Sequence, residues 1–300
     1  MPDYPQLPPR NFLGLPPEHC GFDRSRALVL PVPYDATTSY TGGAKAGPQA
    51  ILDASTQVEL YDREFGEESA LRWGVHTLPP LAPDLRSPEA TVNGIQAAVA
   101  DLARTGKLLC VLGGEHSISV GVARGLRDVF GDFVTVQLDA HADLRDAYDE
   151  TPYSHACAAR RICALSPVVQ LGIRSLDAAE AVFLRENPAR VTAVFAEDMH
   201  RDRDRSYLAA LAERVRGRRV FLTIDLDALD PAIMPATGTP EPGGLGWHDT
   251  LDILRTVAAN AEIIAFDCVE LSPLPGLHAP DFLAAKLVYK TLSLILCRRT

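Results

Sequence analysis

Apolar, β-branched runs of about six residues recur along the chain, separated by longer stretches with a helical spacing of apolar positions. The runs are ALVLPV (27–32), KLLCVL (107–112), FVTVQL (133–138), VVQLGI (168–173), VTAVFA (191–196), RVFLTIDL (219–226) and EIIAFDCV (262–269). Their alternation with helical stretches is the βαβ rhythm of a parallel sheet. Helices are predicted between them, for example over 88–106, which opens with Pro and closes on Gly, and over 282–296, which carries an apolar face and closes the chain. No Pro-, Gly- or Ser-rich linker and no repeat divides the sequence, so residues 1–300 read as a single domain with a Pro-rich N-terminal extension at 1–25.

In open parallel sheets the ligand crevice lies beyond the carboxyl ends of the strands. Those positions here carry GGEHS (113–117), DAHAD (139–143), DLDALDPA (225–232) and ELSP (270–273). Any one Asp after a strand is as well explained as a helix cap or turn residue. As a group, His116, Asp139, His141, Asp143, Asp225 and Asp227 supply four carboxylates and two imidazoles aimed at one crevice. Clustered carboxylates repel unless cations separate them, and two divalent ions about 3.5–4 Å apart can share the acids. Alternate residues of an extended segment point the same way, which would group 139/141/143 and 225/227. Oxygen-rich ligation with some imidazole favours a hard or borderline ion such as Mn²⁺. DLDALD superficially resembles a calcium loop but lacks the Gly and the closing Glu that such a loop needs.

Composition narrows the classes further. With 29 Lys and Arg against 39 Asp and Glu, the formal charge of -10 argues against a nucleic-acid partner and leans toward a cationic one. The N-terminus has no basic-then-apolar signal pattern, and no apolar run approaches the roughly 20 residues of a membrane helix, so the chain reads as cytoplasmic, with no membrane association. Six cysteines without a CxxC pair read as reduced and mostly buried.

The order GGEHS, DAHAD, SHACAAR, TIDLDALDPAIMPATGTPEPGG and FDCVELSP, preceded by VPYDATTSYTGGAKAGPQAI at 32–51, resembles the ureohydrolases, the arginase/agmatinase family. The resemblance covers most of the chain and implies a three-layer α/β/α arginase-like fold with a mostly parallel eight-stranded sheet. It implies two Mn²⁺ ions, one held by His116, Asp139, Asp143 and Asp225, the other by Asp139, His141, Asp225 and Asp227. It also implies a homo-trimer or hexamer. Glu115 stands where the family more often has Asp, beside the ligands, and bears on metal affinity.

Water activated between two such ions can attack an unreactive carbon such as that of a guanidinium, releasing urea and an amine. Asp143 can accept a proton as the tetrahedral adduct forms, while a second group must protonate the departing amine. His155 in YSHACAAR is the candidate, because the family carries a proton-shuttling histidine on this loop; capping of the following helix is the plainer alternative. Glu270 would hold the guanidinium through paired charge-assisted hydrogen bonds, against the alternative of a surface salt bridge. His19, His76, His200 and His248 read as structural, and His278 as a weak substrate-loop candidate.

Segment 144–154, LRDAYDETPYS, lacks the polar pattern with which arginases grip the α-carboxylate and α-amine of arginine. Asp146, Asp149 and Glu150 would instead attract a cationic tail, which puts a small cationic guanidino substrate, agmatine, first, with N1-aminopropylagmatine as the longer alternative. A guanidino acid such as guanidinobutyrate would need Arg145, Arg160 or Arg161 for its carboxylate. Two other classes compete. A non-catalytic regulatory relative should lack a ligand position, and all six are filled; a zinc-dependent deacetylase on a related fold should use fewer acids and one metal.

Overall fold

In the computed structural model, which describes residues 10–298, each of the seven apolar runs forms a strand. In chain order the strands are β1 (Ala27–Val32), β2 (Val75–Thr77), β3 (Leu108–Gly113), β4 (Val134–Leu138), β5 (Val168–Ile173), β6 (Val191–Phe195), β7 (Arg219–Asp225) and β8 (Glu262–Val269). Strand β2 is the one the sequence pattern does not announce: three residues, VHT, hold no apolar run, and they pair only at the margin of the sheet against Ala27–Val29. All eight strands lie in one sheet ordered β2-β1-β3-β8-β7-β4-β5-β6, and every pairing is parallel.

Side chains alternate across the sheet. Leu108, Cys110 and Leu112 of β3 enter one core while Leu109 and Val111 enter the other. The first core is covered by helices that include Trp247–Asn260 and Ala279–Leu296, the second by Pro88–Ala103 and Ile118–Phe130. These are the three layers expected. The helix predicted over 88–106 ends at Ala103, with Gly106 in a left-handed turn, and the closing helix starts at Ala279, behind Pro280. Gly121 lets the helix pair of the second face close up: a Cβ there would lie 2.7 Å from Val92 O.

The Pro-rich stretch 1–25 is only partly within the described residues, since 1–9 lie outside them. Phe12 and Leu15 of this stretch are buried in the first core, and Phe12 N–H donates to Thr77 Oγ1 at 2.8 Å, so that part is an edge cover for β2. Among the described residues no helix is long and apolar enough to cross a membrane. Of the six free cysteines, Cys110, Cys157, Cys163 and Cys268 are buried.

What positions a site is the strand order. β3, β8, β7 and β4 are consecutive in the sheet, and they are the four strands whose ends carry the acids and histidines. Their registers, Leu112 beside Cys268, Asp225 beside Val269 and Leu138 beside Ile224, finish the four strands nearly level. Residues distant in sequence therefore emerge side by side at the carboxyl edge.

Candidate active site

Each candidate side chain is set by the way its strand stops. After β3, Gly114 passes so close to Tyr34 that a Cβ would fall 1.9 Å from Tyr34 O. This close approach seats loop 34–39 against the GGEHS turn, with Glu115 N–H donating to Tyr34 O at 2.8 Å. His116 then points into the crevice, and its own N–H donates to Glu270 Oε1 at 2.7 Å. After β4 the chain does not continue as a strand through 143: His141 makes one bridge to Ser175, and Asp143 turns to φ 52°. After β7, Leu226–Ala228 form a 3-10 turn, and Asp225 Oδ1 accepts from Asp227 N at 2.9 Å. The 139/141/143 and 225/227 sets thus converge through bends and a capped turn rather than through the extended spacing read from the sequence, because the strands end at Leu138 and Asp225. Glu270 likewise sits at φ 67°. A left-handed backbone at two non-glycine residues of one crevice is strain of the kind that persists where surrounding structure holds a side chain in a particular direction.

The structure brings all six candidate ligands together. Asp139 Oδ2, Asp225 Oδ2 and Asp143 Oδ2 lie 3.0, 3.1 and 3.2 Å from His116 Nδ1. His141 Nδ1 is 2.8 Å from Asp227 Oδ2 and 3.8 Å from Asp139 Oδ1. Two ligand sets result, His116/Asp139/Asp225 and Asp139/His141/Asp227, and Asp139 belongs to both. Gln137 and the His141 N–H fix the shared carboxylate with bonds of 2.7 and 2.6 Å.

The electrostatics of these residues fit cations. Except for half-buried His141, all of them are buried. Burial, then the charges of Asp143 and Asp227, push Asp139 up to about 7, and burial with Asp227 and Asp139 holds Asp225 well above the ordinary carboxylate range. Burial favours neutral His116 and His141, yet the facing carboxylates outweigh it and raise both, His141 to about 10. His116 Nε2 lies 2.9 Å from Thr223 Oγ1, while Nδ1 is buried without a hydrogen bond despite the three oxygens around it. A ring nitrogen and three carboxylate oxygens facing one another with no hydrogen bond between the nitrogen and the oxygens form a donor set that a divalent cation satisfies.

Beside the cluster opens a cavity of about 330 Å³ whose lining includes Glu270, His155 and Ser39 as well as every candidate ligand except the fully buried Asp139. Glu270 gives one oxygen to His116, and its other oxygen has no hydrogen-bond partner among the described residues. Half-buried His155 is held from three sides: its N–H donates to Thr37 Oγ1 at 3.1 Å, its Nε2 is 3.1 Å from Ser39 Oγ, and its Nδ1 is 3.2 Å from Ser154 Oγ. Burial pulls its pKa below the ordinary histidine value. Thr37 is held in turn by Glu115, whose carboxylate accepts from Thr37 N at 2.7 Å and from Thr37 Oγ1 at 2.5 Å. Glu115 therefore braces Thr37, against which His155 is held, and makes no hydrogen bond to the ligand carboxylates.

The acids expected to meet a cationic tail are corrected. Tyr148 and Thr151 bond to each other across a tight turn with Asp149 and Glu150 at its tip, both at positive φ and exposed. Asp146 is taken by Arg161 at 2.5 Å. None of the three lines the cavity, nor do Arg160, Arg161 or His278, which is exposed at the head of the last helix. The acids that line the cavity besides the cluster and Glu270 are Asp177, Glu180 and Glu241. Sequence reading passes over the first two because Asp-x-x-Glu before a helix is a capping box, and here it is one as well.

A model of the arginase family matches residues 25–293. The chain is 39% identical to an N(1)-aminopropylagmatine ureohydrolase of Synechocystis over 88% of its length and 87% of the relative. Among solved structures it resembles the agmatine ureohydrolase of Thermoplasma volcanium, with a TM-score of 0.81, 32% identity and coverage of 93% and 91%. It also resembles the proclavaminate amidino hydrolase of Streptomyces clavuligerus, with a TM-score of 0.85, 27% identity and coverage of 99% and 100%.

Proposed function

The chain belongs to the arginase family, and from that premise we propose that it hydrolyses the guanidino group of a polyamine precursor, N1-aminopropylagmatine first and agmatine second. The observation that carries this order is the further set of acids lining the cavity, Asp177, Glu180 and Glu241, which suits a tail with two ammonium groups. The Synechocystis relative named for that substrate supports it. Agmatine, first in the ordering from sequence, becomes the second reading because the loop acids that favoured it lie outside the cavity.

In this reading His116, Asp139, His141, Asp143, Asp225 and Asp227 hold two manganese ions, which when bound supply a nucleophilic water at neutral pH and offset the charge of the acids. The free oxygen of Glu270 receives the guanidinium in a charge-assisted hydrogen bond and aims its carbon at the cluster. Asp143 takes the proton released as water adds to that carbon. His155 carries a proton to the departing nitrogen, and the C–N bond breaks to give urea and the free amine. A cytoplasmic homo-oligomer, trimer or hexamer, is taken as the working form on the strength of the family.

Urea release by the manganese-loaded protein tests the order of substrates. N1-aminopropylagmatine should give the highest kcat/KM, agmatine a lower one, and arginine and guanidinobutyrate little; a preference for arginine would overturn the reading of these acids. The brace on His155 gives a second prediction. Thr37→Val removes the hydroxyl shared by Glu115 and His155 N–H, and kcat should fall about tenfold, a loss of one positioning contact, with metal content and KM unchanged. Thr37→Ser should restore it. A fall in bound metal instead would mean that the loop supports the cluster and not His155.

A further inference from the structure

One cation stands inside a cavity otherwise furnished for cations. Arg145 lines it beside Asp177 and Glu180, with its side chain 38% exposed. Its backbone N–H is spent on Ala156 O at 3.2 Å, but its guanidinium makes no hydrogen bond among the described residues. The nearest acids are Asp177 at 3.6 Å and Glu180 at 4.0 Å, and the group lies over the Tyr148 ring, 4.9 Å from its centroid. Arg161, outside the cavity, differs, with its guanidinium bonded to the side chain and backbone of Asp146.

The acids facing Arg145 are fixed. Glu180 accepts from Leu144 N at 2.8 Å and Asp177 N at 2.7 Å, and Asp177 accepts from Glu180 N at 2.8 Å. A rigid acid pair therefore faces a loosely tethered guanidinium with five unspent donors, stacked over an aromatic ring that can hold it when the acids are taken.

We propose that Arg145 is an internal stand-in for the substrate's tail ammonium and so determines which tails the cavity accepts. It contests Asp177 and Glu180 with an incoming cation. A tail with two ammonium groups outcompetes it and leaves it held by Tyr148 alone; a tail with one competes less well; a carboxylate tail is drawn to its free donors. This rests on the reading of the cavity as a polyamine-precursor site.

The test compares guanidines that differ only at the tail: N1-aminopropylagmatine, agmatine, 4-guanidinobutyrate and uncharged butylguanidine. Arg145→Met keeps a stem to pack on Tyr148 and removes the charge. KM for agmatine should fall about two- to fivefold, the range of a partly exposed ion pair, and that for N1-aminopropylagmatine by less. KM for guanidinobutyrate should rise, butylguanidine should not respond, and Arg145→Lys should restore the parental order. Calorimetric binding of putrescine and spermidine should tighten in Arg145→Met by the same ratios. Equal KM shifts for all four guanidines, or none, would overturn the proposal. If the parent protein cleaves guanidinobutyrate and neither amine, the polyamine reading fails, and the guanidinobutyrate-to-butylguanidine ratio in Arg145→Met still decides the role of Arg145.

Discussion

Asp139→Ala is expected to empty both metal positions and to reduce urea release to below one-hundredth of the parent, more than the roughly 10- to 100-fold that loss of a group behind the ligands costs. The reason is its double membership: of the two ligand sets in the crevice, Asp139 is the carboxylate common to both. Its two oxygens face opposite ways, Oδ2 to His116 Nδ1 at 3.0 Å and Oδ1 toward His141 Nδ1 at 3.8 Å, and no neighbour can replace both. Asp227→Ala is the matched comparison, since Asp227 belongs only to the set with His141 and should cost one ion per chain. Metal analysis of the two purified variants separates the cases. Two ions retained in Asp139→Ala, or near-parental turnover with one, would refute a pair of ions bridged by this residue.

The residues of this centre are legible in the sequence for a reason that does not extend to their geometry. Strands buried between two helical layers read as unbroken apolar runs, so FVTVQL and its like are visible, and so is the abrupt change to Asp and His where each run stops. That β3, β8, β7 and β4 lie side by side is a property of long-range pairing and is written in no local stretch. The left-handed turns at Asp143 and Glu270 leave no mark either, because non-glycine residues in that region are held there by their surroundings. Charge was the less reliable guide. Asp146, Asp149 and Glu150 cluster in sequence, but a tight turn and Arg161 carry them outward, whereas Asp177 and Glu180 line the cavity while doing the ordinary work of a helix cap.

His155→Ala should lower kcat by about 10²- to 10⁴-fold, the usual worth of a positioned proton carrier, with both metal ions retained. Burial holds the ring's pKa below its ordinary value, so His155 is neutral at neutral pH and is not the original source of the proton for the leaving amine. It must take up a proton during turnover, the one Asp143 accepts as water adds, and pass it on. Its hydrogen bonds suit that duty: Ser39 at Nε2 and Ser154 at Nδ1 are hydroxyls that can donate or accept, so the ring stays in place in either protonation state. The sign of the pH dependence follows. Once the pH falls through the depressed pKa, the ring is already protonated in the free enzyme, cannot accept, and repels the incoming guanidinium. Over a range in which metal content stays constant, kcat/KM of the parent should therefore hold steady around neutrality and drop only on the acid side of the ordinary histidine range, and His155→Ala should lack that limb. Loss of metal from His155→Ala would assign the residue to the cluster. An unchanged acid limb in the variant would assign that titration to a group other than His155, which would then be left as a residue that shapes the wall of the cavity.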